Sequence, residues 1–347
     1  MDKKVLIINE GNSENLGDQA INYVTHKLFA SNGAFCDWQS YSCHEAFDKG
    51  KAISSARPSA IRSFIANTVL GKTFLRKKWF KKNHHYFEKY KKTNYDLIII
   101  GGGQLLNNSW LYPYLFSKWA KVFKNQNLIT FAIGLGSDFN YVDKRLIHKG
   151  LSVCSHLFVR DYFSMSYIRN KFQLESNYIP DPVFKISDFI EVNKVGSQAI
   201  VLPVSYEHVF LKYNQPISEN QFLNIWIDKV NEYCSHYENV IVSITDVVQD
   251  RQIFEDLKNC FQTNSKVQFI FPKDMKHIIS LIGSSETVYS GRMHALIIGF
   301  SYNLKCEVYP VSKKLKTFEN EYLSNSGRSI NSIKDEIDEG VFKIVNQ

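Results

Sequence analysis

Three short, almost wholly apolar runs each lead into glycine or a polar, glycine-bearing loop, and this pattern constrains the chain more than any other feature. Residues 5–8 lead into Gly11-Asn12-Ser13-Glu14-Asn15-Leu16-Gly17-Asp18. Residues 97–100 lead into Gly101-Gly102-Gly103, and residues 128–133 into Gly134-Leu135-Gly136-Ser137. A strand covered on both faces must be apolar at consecutive positions, which is the condition of a parallel sheet under helices. After the first loop, Ala20, Ile21, Tyr23, Val24, Leu28 and Phe29 recur at helical spacing. A shorter strand at 157–159 ends in Arg160-Asp161, with a helix predicted over 162–170. Strands alternating with helices give parallel βαβ units and an α/β fold.

A second such series follows a break. Ile179-Pro180-Asp181-Pro182-Val183-Phe184 punctuates the chain, and periodic signal is weak up to Gln198. Beyond it, strands are expected at 199–202, 240–244, 267–271, 287–289 and 307–309. Helices are expected at 222–237, 251–260, 275–283 and 292–300. For 347 residues, the expectation is two Rossmann-like domains, 1–185 and 196–347, with ligands at the carboxyl ends of their strands.

Charge is unevenly spread. Between Lys51 and Tyr95 there are twelve Lys or Arg and one acid, Glu88, a local +11 in a chain of net charge +8. The remainder therefore sums to −3. This segment, an insertion at about 51–95 in the first domain, also carries Phe64, Phe74, Trp79, Phe80, Tyr86, Phe87 and Tyr90. Residues 57–92 read as helical and loosely tied to the sheet. Such a face suits anionic headgroups or a polyanionic glycan, or is simply solvated. No nucleic-acid fold signature accompanies it, so no nucleic-acid partner is expected. His84-His85 reads as a solvated pair.

No apolar run approaches the length of a membrane span, and the apolar start of four residues is too short for a signal peptide. The six cysteines form no Cys-x-x-Cys pair and no metal spacing with His. A cytoplasmic protein with reduced cysteines and no metal site is expected.

Several residues could carry chemistry, each with a plainer alternative. The glycines could admit a ligand close to the backbone or form tight turns. Gly101-Gly102-Gly103 matches neither a dinucleotide fingerprint nor a nucleotide P-loop. Ser290-Gly291-Arg292-Met293-His294-Ala295-Leu296 opens a helix directly after a strand. There Arg292 could grip a carboxylate or phosphate and His294 could carry a proton. The alternative is a capped helix start with an exposed Arg and a hydrogen-bonded His. Arg160 could clamp an anion or form a structural salt bridge with Asp161 or another acid. Asn15 and Asp18 could cap the first helix, and Asp18 could instead contact a hydroxyl-bearing substrate or hold a catalytic group.

Taken in order, these pieces resemble the polysaccharide pyruvyl transferase family. The matching residues are Asn15-Leu16-Gly17-Asp18, Ile100-Gly101-Gly102-Gly103 and Gly134-Leu135-Gly136-Ser137. Val159-Arg160-Asp161 with Ser164, Asp181-Pro182-Val183 and Ser290-Gly291-Arg292-Met293-His294-Ala295 complete the set. The resemblance implies a GT-B-like pair of domains with the active site in the interdomain cleft. It implies transfer of the enolpyruvyl skeleton of phosphoenolpyruvate to a sugar, or to a lipid-linked oligosaccharide, of a surface polysaccharide. A pyruvate ketal forms and phosphate is released. His294 would be the acid/base, Arg160 and Arg292 the donor clamps, and the Met293 backbone would lie against the donor. Asn15, Gly17, Asp18, Gly102, Gly103, Gly134 and Gly136 would line the substrate. No cofactor beyond the donor is needed. Residues 50–92 match nothing in the family and are expected to govern acceptor approach or peripheral contact with the inner membrane face. The competing readings are a glycosyltransferase using a nucleotide sugar, and a non-catalytic module that binds polyanions or membranes.

Overall fold

The computed structural model describes residues 3–43, 68–136, 139–213, 216–324 and 327–346. The first part of the basic segment, 51–67, and Ser137 lie outside the described residues. The chain divides into two compact units.

The first unit comprises residues 1–12, 21–182 and 336–347. Its six parallel strands are β1 Lys3–Asn9, β2 Ala34–Ser40, β3 Leu97–Leu106, β4 Leu128–Leu135, β5 His156–Val159 and β6 Asn177–Tyr178, in the order β2-β1-β3-β4-β5-β6. The order reverses between β1 and β3. Val5, Leu6, Ile7 and Ile8 are fully buried, as are Ile98, Ile99 and Ile100. Burying each such side chain contributes about 1.5–3 kcal/mol, so these runs hold the sheet together.

The second unit comprises residues 13–20 and 183–335. Its five parallel strands are β7 Gln198–Leu202, β8 Asn239–Val242, β9 Val267–Phe269, β10 Thr287–Ser290 and β11 Lys305–Val308, in the order β11-β10-β7-β8-β9. Here the order reverses between β7 and β10. A capping box at Ser218 and Gln221 starts the helix Glu219–His236, which buries Phe222, Trp226, Val230 and Tyr233. Their spacing of three and four residues places them on one face.

The units are therefore not the consecutive stretches 1–185 and 196–347. Residues 13–20 join the second unit because their backbone pairs there: Leu16 N donates to Thr245 O at 2.8 Å, and Asn15 bridges Asp246. Residues 336–347 join the first, where Gly340 packs against Ile179.

Two local expectations also change. The three glycines do not end their strand. β3 runs through them to Leu106, with a register shift between Gly103 and Leu106. Gly102 and Gly103 hold φ of +76° and +82°, a region that favours glycine, so the backbone leaves the extended form there. The basic helix, Val69–Tyr90, is not loosely tied. Phe87 and Tyr90 enter the core, with the Phe87 ring centroid 4.4 Å from that of Trp119 and the two rings tilted at 45°. Two of its cations are buried: Lys72 Nζ lies 3.1 Å and Arg76 Nη2 2.5 Å from the fully buried Asp143.

Candidate functional site

In an open parallel sheet, ligands gather where the strand order reverses, at the carboxyl ends of the two strands flanking the reversal. In the second unit those strands are β7 and β10. β10 ends in Ser290, and Arg292 follows as the N-cap of the helix Met293–Ser301. Ser290 Oγ accepts from Arg292 N at 3.0 Å and donates to Leu202 O, tying the turn to the end of β7.

Arg292 is held by a residue without an evident sequence signal. Its Nε donates to Asp250 Oδ2 at 3.0 Å and its Nη2 to Asp250 Oδ1 at 2.5 Å, a bidentate pair. Asp250 Oδ1 also accepts from Ser205 N, just beyond β7, at 2.8 Å. Asp246 stands 4.0 Å from Nη2. Burial pushes the Asp250 carboxyl above its ordinary range, Arg292 pulls it down, and Asp246 pushes it up again. The guanidinium is thus fixed in plane and position, with its charge balanced nearby.

No side chain caps the helix Met293–Ser301 at Arg292. Backbone N–H groups at such a start favour an anion. His294, the second residue of this helix, lies against the loop after β1. A Cβ built on Gly17 would stand 2.6 Å from His294 Nδ1 and 2.7 Å from His294 Cβ, so only glycine permits this approach. The loop is fixed by its own bonds. Asn15 Oδ1 accepts from Gly17 N at 2.9 Å, and Ser13 Oγ donates to Asp18 Oδ2 at 3.2 Å. Asn15 therefore caps the helix Leu16–Ser31. Asn15, Gly17, Asp18, Arg292, Met293 and His294 all belong to the second unit.

The other candidates belong to the first unit. Arg160 follows β5 and is 4% exposed; its Nη1 donates to Asp181 Oδ2 at 2.6 Å. A Cβ on Gly134 would meet Arg160 Nε at 2.8 Å, so this glycine makes room for the guanidinium. Asp161 Oδ1 caps the next helix through Ser164 N, and Ser164 Oγ accepts from Leu135 N at 2.8 Å. Gly136 N donates to Leu106 O at 2.6 Å. Gly102 makes room for Ile21, which a Cβ there would meet at 2.1 Å. Arg160 thus has the salt bridge that its plainer reading foresees, with Asp181 as the acid.

Sequence reasoning did not find Asp250 or Asp246, and it gave Asp181 no role. Among the described residues, no group of three or more His, Cys, Asp or Glu could hold a metal ion. No described helix is long and apolar enough to cross a membrane.

Comparison with known proteins gives one family and one fold. The sequence model of the polysaccharide pyruvyl transferase family matches residues 15–306. No curated protein matches significantly. Among solved structures, a Listeria monocytogenes protein assigned as a UDP-N-acetylglucosamine 2-epimerase is 9% identical with TM-score 0.54, over 100% of this chain and 89% of its own. The S. aureus MnaA–UDP complex is 10% identical with TM-score 0.51, over 99% and 88%. The UDP-GlcNAc 2-epimerase of Neisseria meningitidis, bound to UDP-GlcNAc, is 10% identical with TM-score 0.50, over 98% and 91%. At these identities the likeness is one of fold, and that fold is GT-B.

Proposed function

The chain belongs to the polysaccharide pyruvyl transferase family, and we propose that it moves the enolpyruvyl skeleton of phosphoenolpyruvate onto two hydroxyls of a sugar. The observation that carries this reading is the fixed turn after β10. It combines a guanidinium oriented by Asp250, an uncapped helix start and an imidazole on consecutive residues at the reversal point of the sheet.

The donor has a carboxylate and a phosphate. The amides of Met293 and His294 and the guanidinium of Arg292 suit those anions. The proposed sequence starts with His294 giving a proton to the donor's methylene carbon, which becomes a methyl group. C2 then gains oxocarbenium character. A sugar hydroxyl adds to C2 and loses its proton. The second hydroxyl then attacks C2 as the C2–O bond to phosphate breaks, its proton leaves with the phosphate, and the ketal closes. Hydrogen-bond donors fixed in advance suit the charge that phosphate carries away. Arg160 is proposed as a further donor clamp, and Asp181 holds its guanidinium in place. The glycines Gly102, Gly103, Gly134 and Gly136 are proposed to line the substrate. The acceptor is a sugar of a surface polysaccharide or its lipid-linked precursor.

Thermal unfolding with added ligand tests this. Phosphoenolpyruvate at about 100 times its dissociation constant should stabilise by ~2.7 kcal/mol. Arg292→Ala should abolish that shift. His294→Ala should retain it but lose turnover. Stabilisation by a nucleotide sugar, with phosphoenolpyruvate inert, would replace this reading with glycosyl transfer.

A further inference from the structure

We propose that the outer stripe of the helix Val69–Tyr90 docks on the surface of a bilayer containing anionic phospholipid. The proposal is independent of the donor chemistry.

The helix sorts its residues sharply. Lys72, Arg76, Phe87 and Tyr90 face the body of the first unit and are buried there. On the opposite side, Leu70, Phe74, Lys77 and Lys81 recur at intervals of four, three and four residues. With 3.6 residues per turn they fall within about 60° of one another. Lys78 and Lys82 extend the cationic surface along one side of this stripe, and all six are exposed. The helix's one acid, Glu88, pairs with Lys91 at 2.5 Å. The burial of Lys72 and Arg76 against Asp143 separates two jobs that composition alone merges. Those two cations fasten the helix, and the outer lysines have no described role in the fold.

Charge alone would suit any polyanion, but the apolar residues favour a bilayer. Leu70 is 85% exposed and Phe74 66% exposed. Both lie on the cationic stripe. A soluble polyanion offers far less apolar depth to bury them than a bilayer does. A bilayer interface accepts apolar side chains below its headgroups while lysines reach the phosphates. The helix would lie in the interface plane, its inner face still packed on the protein.

The test uses the full-length protein and vesicle flotation. Vesicles are phosphatidylcholine alone or with about 30% phosphatidylglycerol, at salt from about 0.05 to about 0.3 M. Binding should require the anionic lipid and weaken as salt rises. Replacing Lys77, Lys78, Lys81 and Lys82 together by Gln should weaken it by roughly two to three orders of magnitude, about fivefold per lysine. Leu70→Ser with Phe74→Ser should weaken vesicle binding at least tenfold, while leaving retention on heparin unchanged. Both variants should melt like the parent, because every altered side chain is exposed. Equal binding to the two vesicle types would overturn the proposal. So would an unchanged affinity of the lysine variant. If the Leu70/Phe74 variant binds vesicles normally while the lysine variant loses heparin, the stripe is a soluble-polyanion site instead.

Discussion

Gly17→Ala tests the position of His294 without touching it. The backbone at Gly17 is not among the left-handed positions, so alanine meets no φ penalty and its effect comes from contact alone. The added methyl would stand 2.6 Å from His294 Nδ1 and 2.7 Å from His294 Cβ. Carbon contacts are comfortable at about 3.5–4.0 Å, so the imidazole or the loop must retreat by about 1 Å. Overpacking of this kind costs about 1–3 kcal/mol. A displacement of that size at a reacting group lowers the rate by about 100-fold. We expect kcat to fall by that order while phosphoenolpyruvate still raises the melting temperature, because Asp250 and Arg292 are untouched. The assay is phosphate release with an acceptor sugar, beside calorimetry with and without donor. A variant keeping kcat within about threefold of the parent would refute the assignment of proton transfer to His294 in this position.

Asp250→Asn keeps an acceptor for Ser205 N but removes the charge that orients Arg292. The loss of a charge-assisted bond, about 1.5–3 kcal/mol, should raise the KM for phosphoenolpyruvate by roughly ten- to a hundredfold, more than it lowers kcat, as read by steady-state kinetics. Asp143→Ala leaves Lys72 and Arg76 buried without their counter-ion and should destabilise the first unit by about 3–5 kcal/mol. Replacing all three by apolar residues should restore most of it, as calorimetry would show. Burial raises the Asp188 carboxyl, but hydrogen bonds from Lys185 and Lys334 outweigh it and hold the group below its ordinary value. Its contribution is therefore present above the unfolded value of about 3.9 and lost as pH falls through the folded one. Between about pH 5 and pH 3, the melting temperature of Asp188→Asn should fall less than the parent's.

The sequence by itself determined the class of fold and the turn that carries the candidate site. Residues 5–8 and 98–100 had to be apolar at every position because both faces of a central parallel strand are covered. Ser290 to Ala295 could be read as the step from strand to helix because that transition is local. The alternating elements also predicted two similar halves.

Contacts between distant residues were decided by the tertiary structure. Asp250 reaches Arg292 across 42 positions and Asp143 reaches Arg76 across 67. Nothing in spacing says which acid a guanidinium will meet, because that depends on which strand ends the sheet order brings side by side. The basic segment shows the same limit. Lys72 and Lys77 are alike in sequence, yet one is buried against a carboxylate and the other is exposed. The two are told apart by the phase of their helix against the core and by the presence of a buried counter-ion. Gly102 and Gly103 could be read as a turn, whereas pairing with β4 carried the strand through them. Local chemistry is written along the chain, but the pairing that orients a charge or desolvates it exists only once the chain has folded.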